Sequence, residues 1–273
     1  MNTAHSDFFL LHQRTQRLRS QCSSRCGLAN FALNRYNDVI PHDESLVLLG
    51  SPFYYINASY CHSKQYIATQ APLPHTFAHF WHMVYETDSR VIVALTDLSK
   101  DCYFPNQTSQ IYGRLQVDHV STQPISNDLI LRVFNLSCLS LPCNPLNASP
   151  CTPIQTLVDL QPSEEPSKLV YHYQFLGWPD AQTPSNMIDF DKLIALLCNH
   201  DSRMIVHCMA GVGRTGTLIT ILEMIKSKNQ GVLNEFDLIQ FILTLRRERS
   251  PLMVETIDQF CFLRNYLQKL LKM

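Results

Sequence analysis

The sequence predicts an α/β protein, and three observations favour that class. Short apolar runs typical of buried strands alternate with helical patterns late in the chain. The length of 273 residues is enough for a domain with a sizeable core. The apolar run Met204–Val206 passes directly into a glycine-rich turn, after which a helical pattern begins.

The individual elements follow from the spacing of the apolar residues. Recurrence at i, i+3, i+4 and i+7 predicts a helix that buries one face. Such patterns, with their end signals, predict helices at Phe8–Arg19, Thr76–Glu86, Ser185–Asn199, Thr215–Lys228, Asn234–Arg246 and Thr256–Leu271. Short apolar runs predict strands at Val91–Leu95, Leu115–Val117, Leu129–Val133, Val170–Leu176 and Met204–Val206.

We expect one domain over residues 1–273. Residues 1–30 are predicted to form an N-terminal helical extension of it. Residues 137–166 are rich in Pro, Ser, Asn and Cys and show little periodicity. They are therefore predicted to form a long surface excursion rather than a domain linker.

Composition argues against two classes of partner. The net charge is −1, and only Arg246–Arg249 is locally basic, which we interpret as a solvated helix end, so no nucleic-acid partner is expected. The longest apolar runs, such as Val91–Leu95, are far shorter than the roughly 20 residues of a membrane span, so no integral membrane segment is expected.

The N-terminus has no common secretory signal, which predicts a cytoplasmic protein, or one delivered into a host cytoplasm if it comes from a pathogen. The ten cysteines are then expected to be reduced thiols.

The segment Val206–Gly216 carries the chemistry. Backbone N–H groups of a glycine-rich turn point inward and the following helix adds its positive end, so an anion is the natural ligand. Cys208 and Arg214 bracket five residues, a turn that would set a thiolate beneath one phosphorus and a guanidinium against two oxygens. The same field favours the thiolate, which is the nucleophile for phosphoryl transfer. The Thr215 hydroxyl can then hydrogen-bond the sulfur as it leaves.

Two other interpretations fit parts of this segment. The glycines at 211, 213 and 216 match the dinucleotide-binding pattern G-x-G-x-x-G. That reading needs a following strand with an acidic residue about 20 positions on, which the sequence lacks, and it leaves Cys208 and Arg214 without a purpose. A free cysteine is most often a small buried core residue. Cys208, however, lies at one end of a glycine-rich turn that has an arginine at its other end, and this position favours a catalytic role.

The string V-H-C-x-A-G-V-G-R-T-G at Val206–Gly216 resembles the signature of the phosphotyrosine-specific, cysteine-dependent protein tyrosine phosphatases. The resemblance extends from about Phe31 to Tyr266. It implies a single α/β domain with a highly twisted mixed β-sheet flanked by helices, and a phosphate-binding loop between a central strand and a helix. It also implies that no metal and no organic cofactor are needed.

The resemblance assigns roles to individual residues. Gly177–Asp180 is similar to the mobile loop of the family, which implies that Asp180 is the general acid and then the base. Tyr36 would line the pocket, Asp38 would hold the substrate backbone, and Asn57 would brace the phosphate loop. The implied catalytic set is Cys208, Arg214, Asp180, Thr215 and His207. The implied substrate-binding set is Tyr36, Asp38, Lys100, Met209, Ala210, Gly211, Val212, Gly213, Glu255 and Gln259.

The sequence departs from the family pattern at two site positions. Gln182 replaces a glycine of the mobile loop, so we expect altered loop closure. Glu255 replaces the first glutamine of a Q-T-x-x-Q segment, and if it points inward its charge is expected to slow breakdown of the intermediate. Lys100 lies in a shortened segment that lacks the preceding Glu of the family.

Three functions follow from these residues. The leading hypothesis is a phosphatase that hydrolyses phosphotyrosine in proteins through a cysteinyl-phosphate intermediate. A dual-specificity or phosphoinositide phosphatase would share the C-x5-R turn, but the loop at Asn34–Tyr36 favours a deeper pocket. A phosphotyrosine-binding module with weak or no turnover is the third, and Gln182 and Glu255 keep it open.

Overall fold

The computed structural model describes residues 3–140, 161–162 and 166–272, which form a mixed β-sheet with helices on both faces. Most of the predicted excursion over residues 137–166 lies outside the described residues. The helices are α1 (Thr3–Arg19), α2 (Arg25–Ala29), α3 (Phe77–Glu86), α4 (Met187–Leu197), α5 (Gly213–Asn229), α6 (Leu238–Glu248) and α7 (Ile257–Lys272). The strands are β1 (Leu46–Leu48), β2 (Tyr55–Cys61), β3 (Tyr66–Thr69), β4 (Val91–Ala94), β5 (Ser109–Tyr112), β6 (Leu115–Pro124), β7 (Leu129–Ser140), β8 (Gln161–Pro162), β9 (Lys168–Phe175) and β10 (Met204–His207).

The sheet has the strand order β1-β2-β3-β10-β4-β9-β7-β6-β5, and β8 pairs with β7. Its centre is parallel, because β10 pairs with β3 and β4, and β4 pairs with β9. The outer pairs are antiparallel. The residue after β10 therefore emerges at the carboxyl edge of the parallel strands, which is where open α/β sheets bind ligands. The predicted α/β class is confirmed.

The central strands are buried on both faces. In β4, Val91 and Val93 pack into one hydrophobic cluster, with residues of α4 to α7, whereas Ile92 and Ala94 pack into a second cluster with residues of α3. Because both faces are covered, β4 and β10 are uninterrupted apolar runs in the sequence. This explains why their positions could be predicted well.

The strands β6 and β7 are longer than predicted. The predicted runs Leu115–Val117 and Leu129–Val133 cover only the part of each strand with a clear apolar signal. The second half of β6 is exposed and polar, so it carries no such signal. Residues 137–140 belong to β7 rather than to the surface excursion.

Helix α1 packs against α6 and α7 rather than standing apart. Leu11 is fully buried, and the Asp7 carboxylate pairs with Arg264 at 2.9 Å. The Thr15 hydroxyl accepts a hydrogen bond from Arg246 at 2.8 Å. The predicted N-terminal extension thus contributes a helix to the core.

Two expectations from composition concern the whole chain. The eight cysteines that the structure describes are all free, as expected for reduced thiols. Cys143 and Cys151 lie outside the described residues. Within the described ranges, no helix has both the length and the apolar character that crossing a bilayer requires.

The interpretation of Arg246–Arg249 as a solvated helix end was wrong. Arg246 is 1% exposed and Arg249 is fully buried, whereas Arg247 is exposed. Arg246 donates to the carbonyls of Met253 and Val254 at 2.9 and 3.0 Å. The end of α6 is therefore covered by the segment that leads into α7, and the buried guanidinium provides donors for carbonyls of that segment.

We expect Arg246→Met to lower the free energy of unfolding by about 2–4 kcal/mol, because it leaves buried carbonyls and the Thr15 hydroxyl without this donor. Arg247→Met, on the exposed side of the same turn, is expected to change it by less than about 0.5 kcal/mol. Urea unfolding followed by circular dichroism measures both values. Equal destabilisation by the two variants would contradict the role given to Arg246.

Candidate active site

The candidate site lies at the turn between β10 and α5. Cys208 follows the last residue of β10, and α5 begins at Gly213, so Arg214 lies in the first turn of that helix. The helix N-terminus and the backbone N–H groups of the turn create a positive field in which an anion can bind. The glycine-rich turn predicted between a strand and a helix is therefore present.

Gly211 allows the turn to pack closely against the end of β3. Its φ of +72° lies in the left-handed region, and a Cβ atom at this position would lie 2.0 Å from the Thr69 carbonyl oxygen. The Ala71 N–H also donates to the Met209 carbonyl at 3.0 Å. No residue with a side chain fits at position 211 unless the strand moves.

Arg249 supports the turn from the side away from the cavity, a role that the sequence reasoning missed. Its Nε donates to the Gly211 carbonyl at 3.3 Å and its Nη2 to the Ala210 carbonyl at 3.2 Å. Burial lowers the pKa of Arg249 to about 10, so the side chain stays a cation at neutral pH. The available signal was its spacing of three from Arg246, the spacing of neighbours on a helix face, although Arg249 itself follows the last residue of α6.

Cys208 is 4% exposed, and its Sγ atom accepts two hydrogen bonds. The donors are the Gly211 backbone N–H at 3.3 Å and the Thr215 hydroxyl at 3.4 Å. Both donors stabilise negative charge on sulfur. The arrangement can therefore present a thiolate to a bound electrophile.

Arg214 joins the turn to the segment 177–185, which resembles the mobile loop. Its Nη1 donates to the Trp178 carbonyl at 3.0 Å, and its Nη2 pairs with Asp180 Oδ1 at 2.7 Å. Arg214 is 4% exposed, and its Nε has no hydrogen-bond partner among the described residues. The Asp180 side chain is 84% exposed. The buried guanidinium thus keeps a free donor, while the carboxylate has room to move.

A cavity of about 240 Å³ opens at this turn. Most of the predicted site residues line it: Tyr36, Asp38, Asp180, Cys208, Met209, Ala210, Val212, Gly213, Arg214, Glu255 and Gln259. Gly211 and Thr215 contact the Cys208 sulfur without lining the cavity. Lys100 and His207 do not line it either.

The loop that carries Tyr36 and Asp38 is held at both ends by Asn57. The Asn57 Nδ2 donates to Asn34 Oδ1 at 2.8 Å and to the Val39 carbonyl at 2.9 Å. The resemblance implied that Asn57 braces the phosphate turn. Its side-chain hydrogen bonds instead fix the loop that carries Tyr36 and Asp38.

Lys100 is exposed and lies off the cavity lining. Its neighbour Asp101 pairs with Arg35 at 2.7 Å, and Arg35 also donates to the Ala71 carbonyl at 3.0 Å. These contacts position the residue before Tyr36. The sequence match therefore indicates a segment that lies near the Tyr36 loop, but the residue that contacts this loop is Asp101, through Arg35, rather than Lys100.

His207 is fully buried behind the turn, with Nδ1 3.1 Å from the Cys208 carbonyl. Because a carbonyl can only accept, Nδ1 carries the proton and Nε2 accepts from the Tyr103 hydroxyl at 2.8 Å. The Tyr103 oxygen in turn accepts from His172 Nε2 at 2.8 Å. Burial lowers the pKa of His207 to about 4, so it is neutral in this chain of hydrogen bonds. Its contacts orient the Cys208 backbone.

Glu255 and Gln259 form one wall of the cavity. Gln259 Oε1 accepts from the Glu255 backbone N–H at 3.0 Å. Partial burial and the carboxylates of Asp180 and Asp38 raise the pKa of Glu255. The Glu255 carboxylate therefore shares its electrostatic environment with the reacting groups.

The left-handed residue of the 177–185 segment is Ala181, with a φ of +56°, rather than Gln182. A residue with a Cβ atom pays about 1 kcal/mol or more in this region. Gln182 contributes through its carbonyl, which accepts from Trp178 Nε1 at 2.8 Å and from Gln259 Nε2 at 3.3 Å. The effect on loop geometry expected from Gln182 therefore falls on its neighbour.

Asp128, in the turn between β6 and β7, contacts both ends of this segment. Its carbonyl accepts from the Leu176 N–H at 2.8 Å, and its carboxylate accepts from Asn186 Nδ2 at 3.0 Å. The two ends also meet directly, because the Ser185 N–H donates to the Gly177 carbonyl at 2.8 Å. The two ends of the segment are thus held together by hydrogen bonds.

Comparisons with known proteins agree with this geometry. The family model of protein-tyrosine phosphatase matches residues 30–269. A putative receptor-type tyrosine-protein phosphatase mosPTP-1 of Aedes aegypti is 33% identical over 259 residues, which cover 87% of this chain and 18% of that protein. The receptor-type tyrosine-protein phosphatase eta of Homo sapiens is 34% identical over 255 residues, covering 86% and 17%. The chain spans less than a fifth of the length of either relative.

Solved structures share the fold. The catalytic domain of human protein tyrosine phosphatase non-receptor type 18 has a TM-score of 0.82 at 24% identity, covering 99% of this chain and 97% of that one. A complex of PTPN18 with HER2 phosphopeptides has a TM-score of 0.81 at 25% identity, covering 98% and 92%. The sheet and the cysteine–arginine turn define a cysteine-dependent phosphatase domain. The chain belongs to the protein-tyrosine phosphatase family.

We expect Asp128→Ala to lower kcat on a phosphotyrosine substrate by about fivefold with little change in KM, because losing one hydrogen bond at the hinge costs about 1 kcal/mol of the ordered loop. Steady-state kinetics at several substrate concentrations separate the two constants. The exposed neighbour supplies the control, Asn127→Ala, which is expected to keep both. A raised KM at unchanged kcat would rule out a hinge role.

Proposed function

We propose that this domain hydrolyses phosphotyrosine in proteins through a cysteinyl-phosphate intermediate. The observation that carries the proposal is the shared cavity of Cys208 and Arg214. The nucleophilic sulfur accepts two hydrogen bonds there, and a buried guanidinium nitrogen has no described partner. The complexes of PTPN18 with HER2 phosphopeptides support a phosphopeptide as the kind of substrate.

In the first step the Cys208 thiolate attacks phosphorus, and the bond between phosphorus and the tyrosine oxygen breaks. Arg214 binds two phosphate oxygens, for which its planar donors are suited. The incoming phosphate competes with Asp180 for the guanidinium, so Asp180 leaves its 2.7 Å contact. Away from the guanidinium, the Asp180 carboxylate takes up a proton from solvent, and the carboxyl group then gives this proton to the departing phenolic oxygen.

In the second step water attacks the phosphorus of the cysteinyl-phosphate. Asp180, now a carboxylate, takes a proton from this water as the sulfur–phosphorus bond breaks. The electron pair returns to sulfur, where the Gly211 N–H and the Thr215 hydroxyl stabilise it. Glu255 and Gln259 lie on the wall where the water must approach.

Tyr36 supports selection of phosphotyrosine over shorter phosphorylated side chains. It lines the cavity and is 39% exposed, so its ring is available to pack against an aromatic substrate. Its loop is held by Arg35 and Asn57. Phosphotyrosine-containing proteins are therefore the proposed partners, and the cytoplasmic or host-cytoplasmic location stays a prediction from the sequence.

A second candidate is a phosphotyrosine-binding module with weak turnover. Two observations favour it: the Glu255 carboxylate among the reacting groups, and the left-handed Ala181 in the loop that carries the acid. Cys208, Arg214 and Asp180 occur together, which favours turnover. A kinetic measurement decides between the two.

We expect the wild type to release phosphate from a phosphotyrosine peptide but not from a phosphoserine peptide or a phosphoinositide, and Cys208→Ser to release none. Asp180→Ala is expected to lower kcat about 10²–10⁴-fold, because the phenolate then leaves without a proton. A malachite green phosphate assay measures these rates. If the wild type releases no phosphate, only the hypothesis of a phosphotyrosine-binding module is left. Equal phosphate release from all three substrates would favour a dual-specificity or phosphoinositide phosphatase.

We expect KM for phosphotyrosine to rise as pH rises through the titration of Glu255. The raised pKa keeps this carboxyl neutral to a higher pH than usual, and above that pH its charge repels the phosphoryl group. Glu255→Gln is expected to remove this part of the pH dependence. The measurement is the ratio of wild-type to variant KM from pH 5 to pH 8, in which the titration of the substrate cancels. A ratio that does not change with pH would count against the charge of Glu255.

A further inference from the structure

Three of the groups that line the active-site cavity are the carboxylates of Asp38, Asp180 and Glu255. Among the described residues, Arg214 is the one cation on that lining, and Asp180 already pairs with it at 2.7 Å. The lining therefore carries more negative than positive charge, although its ligand is expected to be a phosphate.

The three carboxylates differ in their partners. Asp180 has an ion pair, which the phosphate takes over when it binds. In the part of the chain that the structure describes, the carboxylates of Asp38 and Glu255 have neither a hydrogen bond nor an ion pair. These two charges come from different walls, the Tyr36 loop and the segment before α7. Both residues are exposed, and in the free protein neither carboxylate has a close counter-ion among the described residues. Arg214 acts on Glu255 only at longer range.

An independent observation favours an anionic ligand beside Arg214. Arg214 is 4% exposed, and its Nε has no partner among the described residues. The phosphate is thus anchored at a fixed point, and the residues beside the phosphotyrosine lie near the mouth. We expect the charge of those neighbouring residues to act on the Asp38 and Glu255 carboxylates.

We propose that Asp38 and Glu255 make the enzyme select phosphotyrosine sites flanked by arginine or lysine over sites flanked by acidic residues. The inference rests on the proposed phosphotyrosine function and names its substrate class. A basic neighbour supplies the counter-charge that the mouth lacks, whereas an acidic neighbour adds repulsion. Because the mouth is open to solvent, each pair contributes modestly, and the preference is a sum over several positions.

The experiment compares three phosphotyrosine peptides that differ only in the two residues on each side, which are all arginine, all glutamine or all glutamate. Binding to the Cys208→Ser protein is measured by fluorescence polarisation at low and high salt. We expect the arginine peptide to bind about tenfold more tightly than the glutamate peptide at low salt, with the glutamine peptide between them. The difference is expected to shrink at high salt, where charges beyond a few ångströms are screened.

Variants then assign the preference to its residues. Glu255→Gln and Asp38→Asn, each combined with Cys208→Ser, are expected to reduce the arginine-to-glutamate ratio about twofold to threefold. The matched control is Asp201→Asn, a carboxylate at the opposite end of β10 and outside the cavity lining. This control is expected to leave the ratio unchanged. Unphosphorylated arginine peptides show how much binding the basic residues give without the phosphate.

Equal or tighter binding of the glutamate peptide would overturn the proposal. A ratio that Glu255→Gln and Asp38→Asn both leave unchanged would overturn it as well, since the preference would then come from other charges. The wild-type phosphate assay on the same peptides tests the proposed function separately. If no peptide is hydrolysed but the arginine peptide still binds best, the specificity inference stands and the catalytic proposal fails.

Discussion

The active site depends on one constraint: the turn at 208–213 must point its N–H groups inward, so its carbonyls point toward the protein. Buried carbonyls need donors. Arg249 supplies two of them, to Ala210 and Gly211, and the Ala71 N–H supplies another to Met209. Gly211 is required because the turn packs against the end of β3 with no space for a side chain. The conformation of this one loop is thus determined by contacts from the central strands, from α6 and from the segment before α7.

Arg214 connects this fixed turn to the movable acid. The same guanidinium pairs with Asp180, and its Nε has no hydrogen-bond partner among the described residues. In the proposed mechanism, substrate phosphate and Asp180 therefore compete for one cation, and phosphate binding is coupled to release of Asp180. The hydrogen bonds of Asp128 hold the ends of the segment 177–185, and Ala181 is the residue of that segment with a left-handed backbone. The left-handed backbone of Ala181 is thus retained in a segment whose two ends are fixed by hydrogen bonds.

Sequence patterns predicted elements well where burial was two-sided or where a helix buried one clear face. They were less accurate where tertiary contacts or capping decided. Helix α6 was predicted from Asn234 but begins at Leu238, because the Asp237 side chain accepts from the Gln240 N–H at 2.9 Å and caps it there. At the site, two short motifs predicted the turn and brought Asp180 to the same cavity, because each motif lies within one short segment. Lys100 was predicted as a substrate-binding residue but lies off the cavity lining. Similarity of a segment does not specify which of its side chains faces a cavity.

The sequence by itself determined the chemistry: a cysteine, an arginine and glycines spaced for one phosphate, and an acid on a Trp-Pro-Asp segment. That information is local, because each of these residues belongs to a short segment whose spacing can be recognised in the sequence. Only the tertiary structure decided that Arg249 braces the turn, that Asn57 holds the Tyr36 loop, and that Asp38 and Glu255 leave the mouth acidic. These relations join segments far apart in the chain, and burial and charge balance at such contacts arise only when the sheet and helices bring the segments together.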